Sequence, residues 1–176
     1  MAIIAGIDEA GFGPMLGPLV VSGVAFRVPD DRVDGCLWKA LQSTCARKGT
    51  KKDQRLVIAD SKQLYHCRED LHQLERPVLV LLGASGKTPR TWRGLLNEVS
   101  PEAAPQLDSY PWYSVKDFPI PAGEGVGDLP TRTNAVRHDL DENGIELAGI
   151  FCDPMPEAHF NGLVEKIGNK LLLVMG

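Results

Sequence analysis

Nothing in this sequence of 176 residues approaches the run of about 20 apolar side chains that a membrane-spanning helix needs. No basic segment followed by an apolar core opens it either, so no secretory signal is read. Positive charge is not in surplus: 19 lysines and arginines stand against 23 aspartates and glutamates, a formal net charge of −4. That balance gives no bulk attraction to nucleic acid, so any such binding has to come from a local basic patch. The four cysteines, Cys36, Cys45, Cys67 and Cys152, show no Cys-x-x-Cys and no zinc-ligand spacing, and they read as reduced thiols. The expectation is a cytoplasmic monomer without membrane contact.

What is present is an ordinary globular balance, 43% hydrophobic and 24% charged, in a length that suits one domain over residues 1–176 with a sizeable core. The chain opens on an apolar run, Ala2 to Ile7, that reads as a strand buried on both faces. The run ends on Asp8 and Glu9. Neighbouring side chains of a regular strand point to opposite faces, so for these carboxylates to share a site the chain has to turn here. Gly11, Gly13-Pro14 and Gly17-Pro18 permit that turn. A second apolar run, Leu19 to Phe26, then completes a hairpin with carboxylates at its rim. The plain alternative is a pair of solvated turn residues. The chemical one is a divalent-metal site, because adjacent like charges at a buried strand end call for a cation and hard dications take carboxylate oxygens.

Beyond the hairpin, Pro29-Asp30-Asp31 starts a helix carrying Val33, Cys36, Leu37, Ala40 and Leu41. The basic segment 47–55 reads either as a solvated loop or as a phosphate-contacting patch. Asp60 and Ser61 are good N-caps for a helix reaching Glu75, and Lys62 is either a surface lysine or a point charge for a phosphate. Val78 to Leu82 reads as a strand running into Gly83-Ala84-Ser85-Gly86-Lys87-Thr88. A phosphate-cradling loop needs its first glycine five positions before the second, where Leu81 stands, so this segment reads as a plain turn. Six prolines between Pro101 and Pro130 rule out a central strand or a long helix there, and 85–130 reads as a Pro/Gly-rich insertion. Its aromatics Tyr110, Trp112, Tyr113 and Phe118 either pin the insertion to the body or stack on bases. A helix over 132–143, a strand over 145–153 and a last helix entered at Pro156 close the reading, with His138 and His159 as surface or capping residues.

The motif Asp8-Glu9-Ala10-Gly11-Phe12-Gly13-Pro14, continued by Gly17-Pro18-Leu19-Val20-Val21, resembles the signature of the type 2 ribonucleases H. Ala59-Asp60-Ser61-Lys62-Gln63-Leu64 is similar to the family's Asp-Ser-Lys motif. The resemblance implies an α/β fold of the ribonuclease H type, a mixed sheet flanked by helices. It also implies hydrolysis of the RNA strand of RNA–DNA hybrids, or of ribonucleotides embedded in duplex DNA, with Mg²⁺ or Mn²⁺ held by four carboxylates. Asp8 and Glu9 match the first two of these, as catalytic and metal-binding residues. Gly11, Phe12, Gly13, Ser61 and Lys62 match the nucleic-acid-binding positions. Phe12 stands where the family has arginine and supplies no guanidinium. No aspartate-glycine strand for the third carboxylate follows the final helix, so the chain reads as a C-terminally incomplete or divergent member with impaired activity. The competing expectation is a catalytically inactive nucleic-acid-binding relative.

Overall fold

A computed structural model of the chain describes residues 1–11, 17–49, 53–65, 71–114, 116–123 and 127–168. The hairpin forms as the two apolar runs around the glycine-proline pairs predict. Strand β1 (Ala2–Ala10) pairs antiparallel with β2 (Leu19–Val28) from Ala2↔Val28 to Ala10↔Val20. Two very short strands, β3 (Cys45–Ala46) and β4 (Leu56–Val57), form a separate parallel pair. The long strand β5 (Glu146–Met155) lies antiparallel on the other side of β2, so the three-stranded sheet runs β1-β2-β5 and leaves β1 at an edge. The architecture is mixed α/β, sheet flanked by helices, and it is compatible with the ribonuclease H-like fold.

One correction concerns β1. It is not buried on both faces: Ala2 and Ile4 pack on the core, while Ile3 and Ile7 are 65% and 70% exposed. An apolar run gives no sign of whether one or two layers cover it, and here helices cover one side.

A second correction concerns 78–82. The short helix α1 (Leu37–Ala40) and the single turn α2 (Ser61–Leu64) are followed by α3 (Leu71–Ala84), which runs straight through the expected strand. Leu79, Val80 and Leu82 are buried, and a short, wholly apolar run looks the same in either state. Pro77 falls inside this helix, where its missing N–H cannot bond the carbonyl of Gln73. The helix is held from outside by α6 (Leu129–Glu142). Gly83 sits so close to Thr133 that a Cβ there would lie 2.9 Å from the threonine Oγ1. Arg137 of α6 donates to the last α3 carbonyls, Gly83 at 2.6 Å and Ala84 at 3.2 Å, adding to the Gly86 N–H that also reaches the Gly83 carbonyl at 3.0 Å.

The expected helix after Pro29 is interrupted: a 3₁₀ turn over Asp30–Arg32 is separated from α1 by Gly35. The expected helix from Asp60 also stops early, at Leu64. Asp60 does cap it, accepting the Lys62 N–H at 2.8 Å. The core draws on all these pieces, with Val28, Leu41, Cys45, Leu56, Val80, Val136, Leu140 and Ile145 in one buried cluster. Side chains of this kind contribute about 1.5–3 kcal/mol each when fully buried.

The proline-rich stretch carries two short helices, α4 (Trp92–Val99) and α5 (Ala103–Leu107). Trp92 stacks on Phe118, and Tyr110, Trp112 and Tyr113 form one edge-to-face cluster. The last described element is α7 (Glu157–Ile167), entered from Pro156 as expected and ended by Gly168 in the left-handed region. Cys36, Cys45 and Cys152 are free thiols, and Cys67 lies outside the described residues. No helix among the described residues is long and apolar enough to cross a membrane.

Candidate functional site

Strand β1 continues without a turn through Asp8 and Glu9 to Ala10, and this overturns the expectation of a bend at the carboxylates. The turn comes afterwards, at Gly11. Register then decides what each acid faces. Asp8 lies opposite Ser22, which in turn lies opposite Cys152; Glu9 lies opposite Val21, which lies opposite Asp153. Alternation therefore puts Asp8 on the helix-covered face of the sheet and Glu9, with Asp153, on the open face.

On the covered face Asp8 stands at the mouth of an apolar cavity of about 530 Å³ between the sheet and α1 and α3, with Trp38, Val78, Leu81 and Ile150 among its walls. Its Oδ1 accepts the Glu9 N–H at 3.0 Å. Nearby, burial pushes the Cys152 thiol above its ordinary range against a hydrogen bond with Ser22. On the open face Glu9 and Asp153 are separated by the intervening strand, roughly 10 Å between backbones at two strand spacings. Among the described residues no group of three or more acidic, histidine or cysteine side chains could hold a metal ion. The described residues thus do not fit the two-ion centre expected from sequence.

The glycine loop is closed tightly at its Gly11 end. Gly11 has φ +88° and Gly17 φ +102°, a region where side chains are disfavoured. A Cβ on Gly11 would lie 2.2 Å from the Pro18 carbonyl oxygen, so only glycine lets the strands meet here. Phe12 and Gly13 lie outside the described residues. Ser61 and Lys62 are exposed on α2; their neighbours Ile58 and Ala59 line, respectively, the cavity at Asp8 and a second, basic concavity.

Glu157, at the start of α7, was not singled out from the sequence. Its Oε1 accepts the Gly17 N–H at 3.2 Å and the Tyr113 hydroxyl at 2.7 Å. One carboxylate thereby ties the glycine loop to the aromatic cluster. The first contact spans 140 residues, and no local signal marks it. Burial and the Glu157 contact push the Tyr113 hydroxyl up to about 12. Desolvation works against the Glu157 charge, but the Tyr113 hydroxyl and the Gly17 amide outweigh it and hold the carboxyl below its usual 4.5. A depressed carboxylate stabilises the fold fully above its ordinary value and ceases to do so as pH falls through the lowered one. Glu157→Gln should therefore lower the urea midpoint near neutrality and flatten its fall with pH below about 4.5, where wild type and variant converge. An unchanged acid limb in the variant would show that this contact is not formed in solution.

A mixed α/β fold with a carboxylate-rimmed, glycine-closed hairpin is the class of protein that the geometry defines. Among curated proteins, a stretch of 34 residues is 50% identical to Ribonuclease HII of Xylella fastidiosa (strain M12). The match covers 19% of this chain and spans only 14% of the length of that relative, which makes it a hint of relationship to a nuclease. No family model matches the chain, and no solved structure matches it.

Proposed function

We propose that the chain is a type 2 ribonuclease H-like protein directed at RNA–DNA hybrids or at ribonucleotides embedded in duplex DNA, with Asp8 and Glu9 as its hydrolytic carboxylates. The observation that carries this reading is the rim itself: an acidic pair ending an edge strand, next to a loop that Gly11 closes against the Pro18 backbone. Gly11 and Gly17 carry no side chain that would keep a strand from the backbone, which suits a sugar–phosphate partner and its 2′-hydroxyl. The short likeness to Ribonuclease HII supports the same class of reaction.

Divalent Mg²⁺ or Mn²⁺ is the cofactor this reading implies. Asp8 and Glu9, split between the two faces, offer too little negative charge at either to fix two dications, so turnover by this chain is expected to be low. The same observation favours a second reading, a nucleic-acid-binding relative that does not cut.

The deciding assay uses a labelled DNA duplex with one ribonucleotide beside an RNA–DNA hybrid, each with Mg²⁺ and with Mn²⁺, and the wild type beside Asp8→Asn. The expected result is binding of both substrates with slow cutting that Asp8→Asn abolishes. Binding without cutting selects the second reading. Cutting that survives Asp8→Asn removes Asp8 from the chemistry, and failure to bind either duplex sinks both readings.

A further inference from the structure

A gathering of positive charge lies away from the carboxylate rim. A concavity of about 700 Å³ between β4, the start of α3 and the start of α6 is lined by Arg47, Lys48, Arg55, Arg76 and Arg132. Asp53 is the one acidic residue among its described lining residues. The chain as a whole carries −4, so five cations gathered around one hollow run against its average.

These side chains are positioned rather than loose. Asp53 holds Arg55 through Oδ2 at 2.8 Å, and Arg55 also donates to the Gln42 carbonyl at 3.1 Å. Asp128 holds Arg132 at 2.7 Å, while a second nitrogen of Arg132 donates to the Gln54 carbonyl. The Arg47 guanidinium lies 5.0 Å over the Trp38 ring. A guanidinium has five donors, and anchoring part of them leaves the rest oriented at low entropic cost. Asp53 and Asp128 offset only part of the charge of the five cations, and the surplus suits a polyanion.

We propose that this hollow is a cradle for the phosphates of a nucleic-acid backbone, lying outside the carboxylate rim and reading no sequence. Its identity as a nucleic-acid cradle rests on the function proposed above; its preference for polyphosphate does not. No Phe, Tyr or Trp is among its described lining residues, so it offers no platform for stacking a base. It adjoins the cavity at Asp8: Pro77 lines one and the next residue, Val78, lines the other. Trp38 walls the Asp8 cavity while carrying Arg47, which walls the cradle. A backbone passing the rim would be tracked across this face by Arg47 and Lys48 first.

The test is fluorescence anisotropy with a labelled DNA duplex and with an RNA–DNA hybrid, over a series of KCl concentrations. It compares wild type, Arg47→Gln/Lys48→Gln, Lys48→Gln alone and Asp8→Asn. The single variant removes one exposed charge and safeguards the test should the double variant fold poorly. Each lost phosphate contact reduces the slope of log affinity against log salt by about 0.9. The double variant is expected to lose a slope of about 2 and about tenfold or more in affinity, equally for unrelated sequences. Lys48→Gln should lose about half that slope, and Asp8→Asn should keep the wild-type slope. Duplex binding with an unchanged slope in both cradle variants overturns the cradle while leaving the proposed function standing. Thermal protection by tripolyphosphate that the variants lose, in a protein that binds no duplex, overturns the nucleic-acid occupant and the proposed function together.

Discussion

Replacing Gly11 by alanine should lower the stability of the fold by about 2–4 kcal/mol, a drop of about 5–15 °C in the melting temperature for a chain of this size. Two costs combine. The backbone at φ +88° places an L-residue in the left-handed region, which costs about 1–2 kcal/mol by itself. The new methyl would also meet the Pro18 carbonyl oxygen at 2.2 Å. That atom is backbone in the partner arm of the hairpin, so relief requires the two arms to part. Gly17→Ala is the internal control. Its φ of +102° imposes the backbone cost, but nothing lies within 4 Å of its Cβ position. It should therefore cost only about 1–2 kcal/mol. Thermal melts of both variants rank the two sites, and an equal or reversed order would sink the tight closure on which the proposed strand contact depends. Gly11→Ala should also weaken binding to a ribonucleotide-containing duplex, whereas an exposed-strand change such as Ile3→Ala should leave it intact.

The hairpin was legible because its signals are local. Glycine-proline pairs, two apolar runs and an intervening acidic pair sit within 20 or so residues, and the pairing of β1 with β2 follows from them. Asp60 as a cap and Pro156 at the mouth of α7 were legible for the same reason. Val78 to Leu82 was not, since an apolar run shorter than two helical turns carries no period. What distinguishes helix from strand there is the neighbour α6, held by Thr133 and Arg137 far along the chain. The acidic pair shows the same limit from the other side. Sequence puts Asp8 and Glu9 together, but the strand register sends them to opposite faces and leaves Glu9 on the same face as Asp153, with β2 between them. The Glu157 tether and the contribution of Arg76 and Arg132 to the basic hollow are products of tertiary placement alone. Residues 47–55 supply three of the five cations of that hollow, and α3 and α6 bring the other two, Arg76 and Arg132.

Leu56→Ala is expected to be among the most damaging single changes, at about 3–4 kcal/mol within the usual range for a buried leucine. Leu56 is 2% exposed and packs in the same cluster as Val28, Leu41, Val80 and Val136, which joins sheet, α3 and α6. Its strand is only two residues long, fixed by the Leu56 N–H to the Thr44 carbonyl at 2.7 Å. So short a segment has little freedom to move in and fill the space, and unrelaxed cavities are the expensive ones. Ile7→Ala supplies the contrast. It removes as much apolar volume from a longer strand, but Ile7 is 70% exposed, so its cost should stay within about 0.5–1 kcal/mol. Urea unfolding of the pair separates burial from hydrophobicity: a large gap is expected, with the slope of the transition unchanged. A cost above about 2 kcal/mol for Ile7→Ala would mean that the open face carrying Glu9 and Asp153 is covered in solution. Because Leu56 also lines the basic hollow and is next to Arg55 in the chain, its loss should reduce the salt dependence of duplex binding at temperatures where the variant is still folded. The same change in Ile7 should leave that slope untouched, which ties the packing of one buried leucine to the charge that the chain presents on its surface.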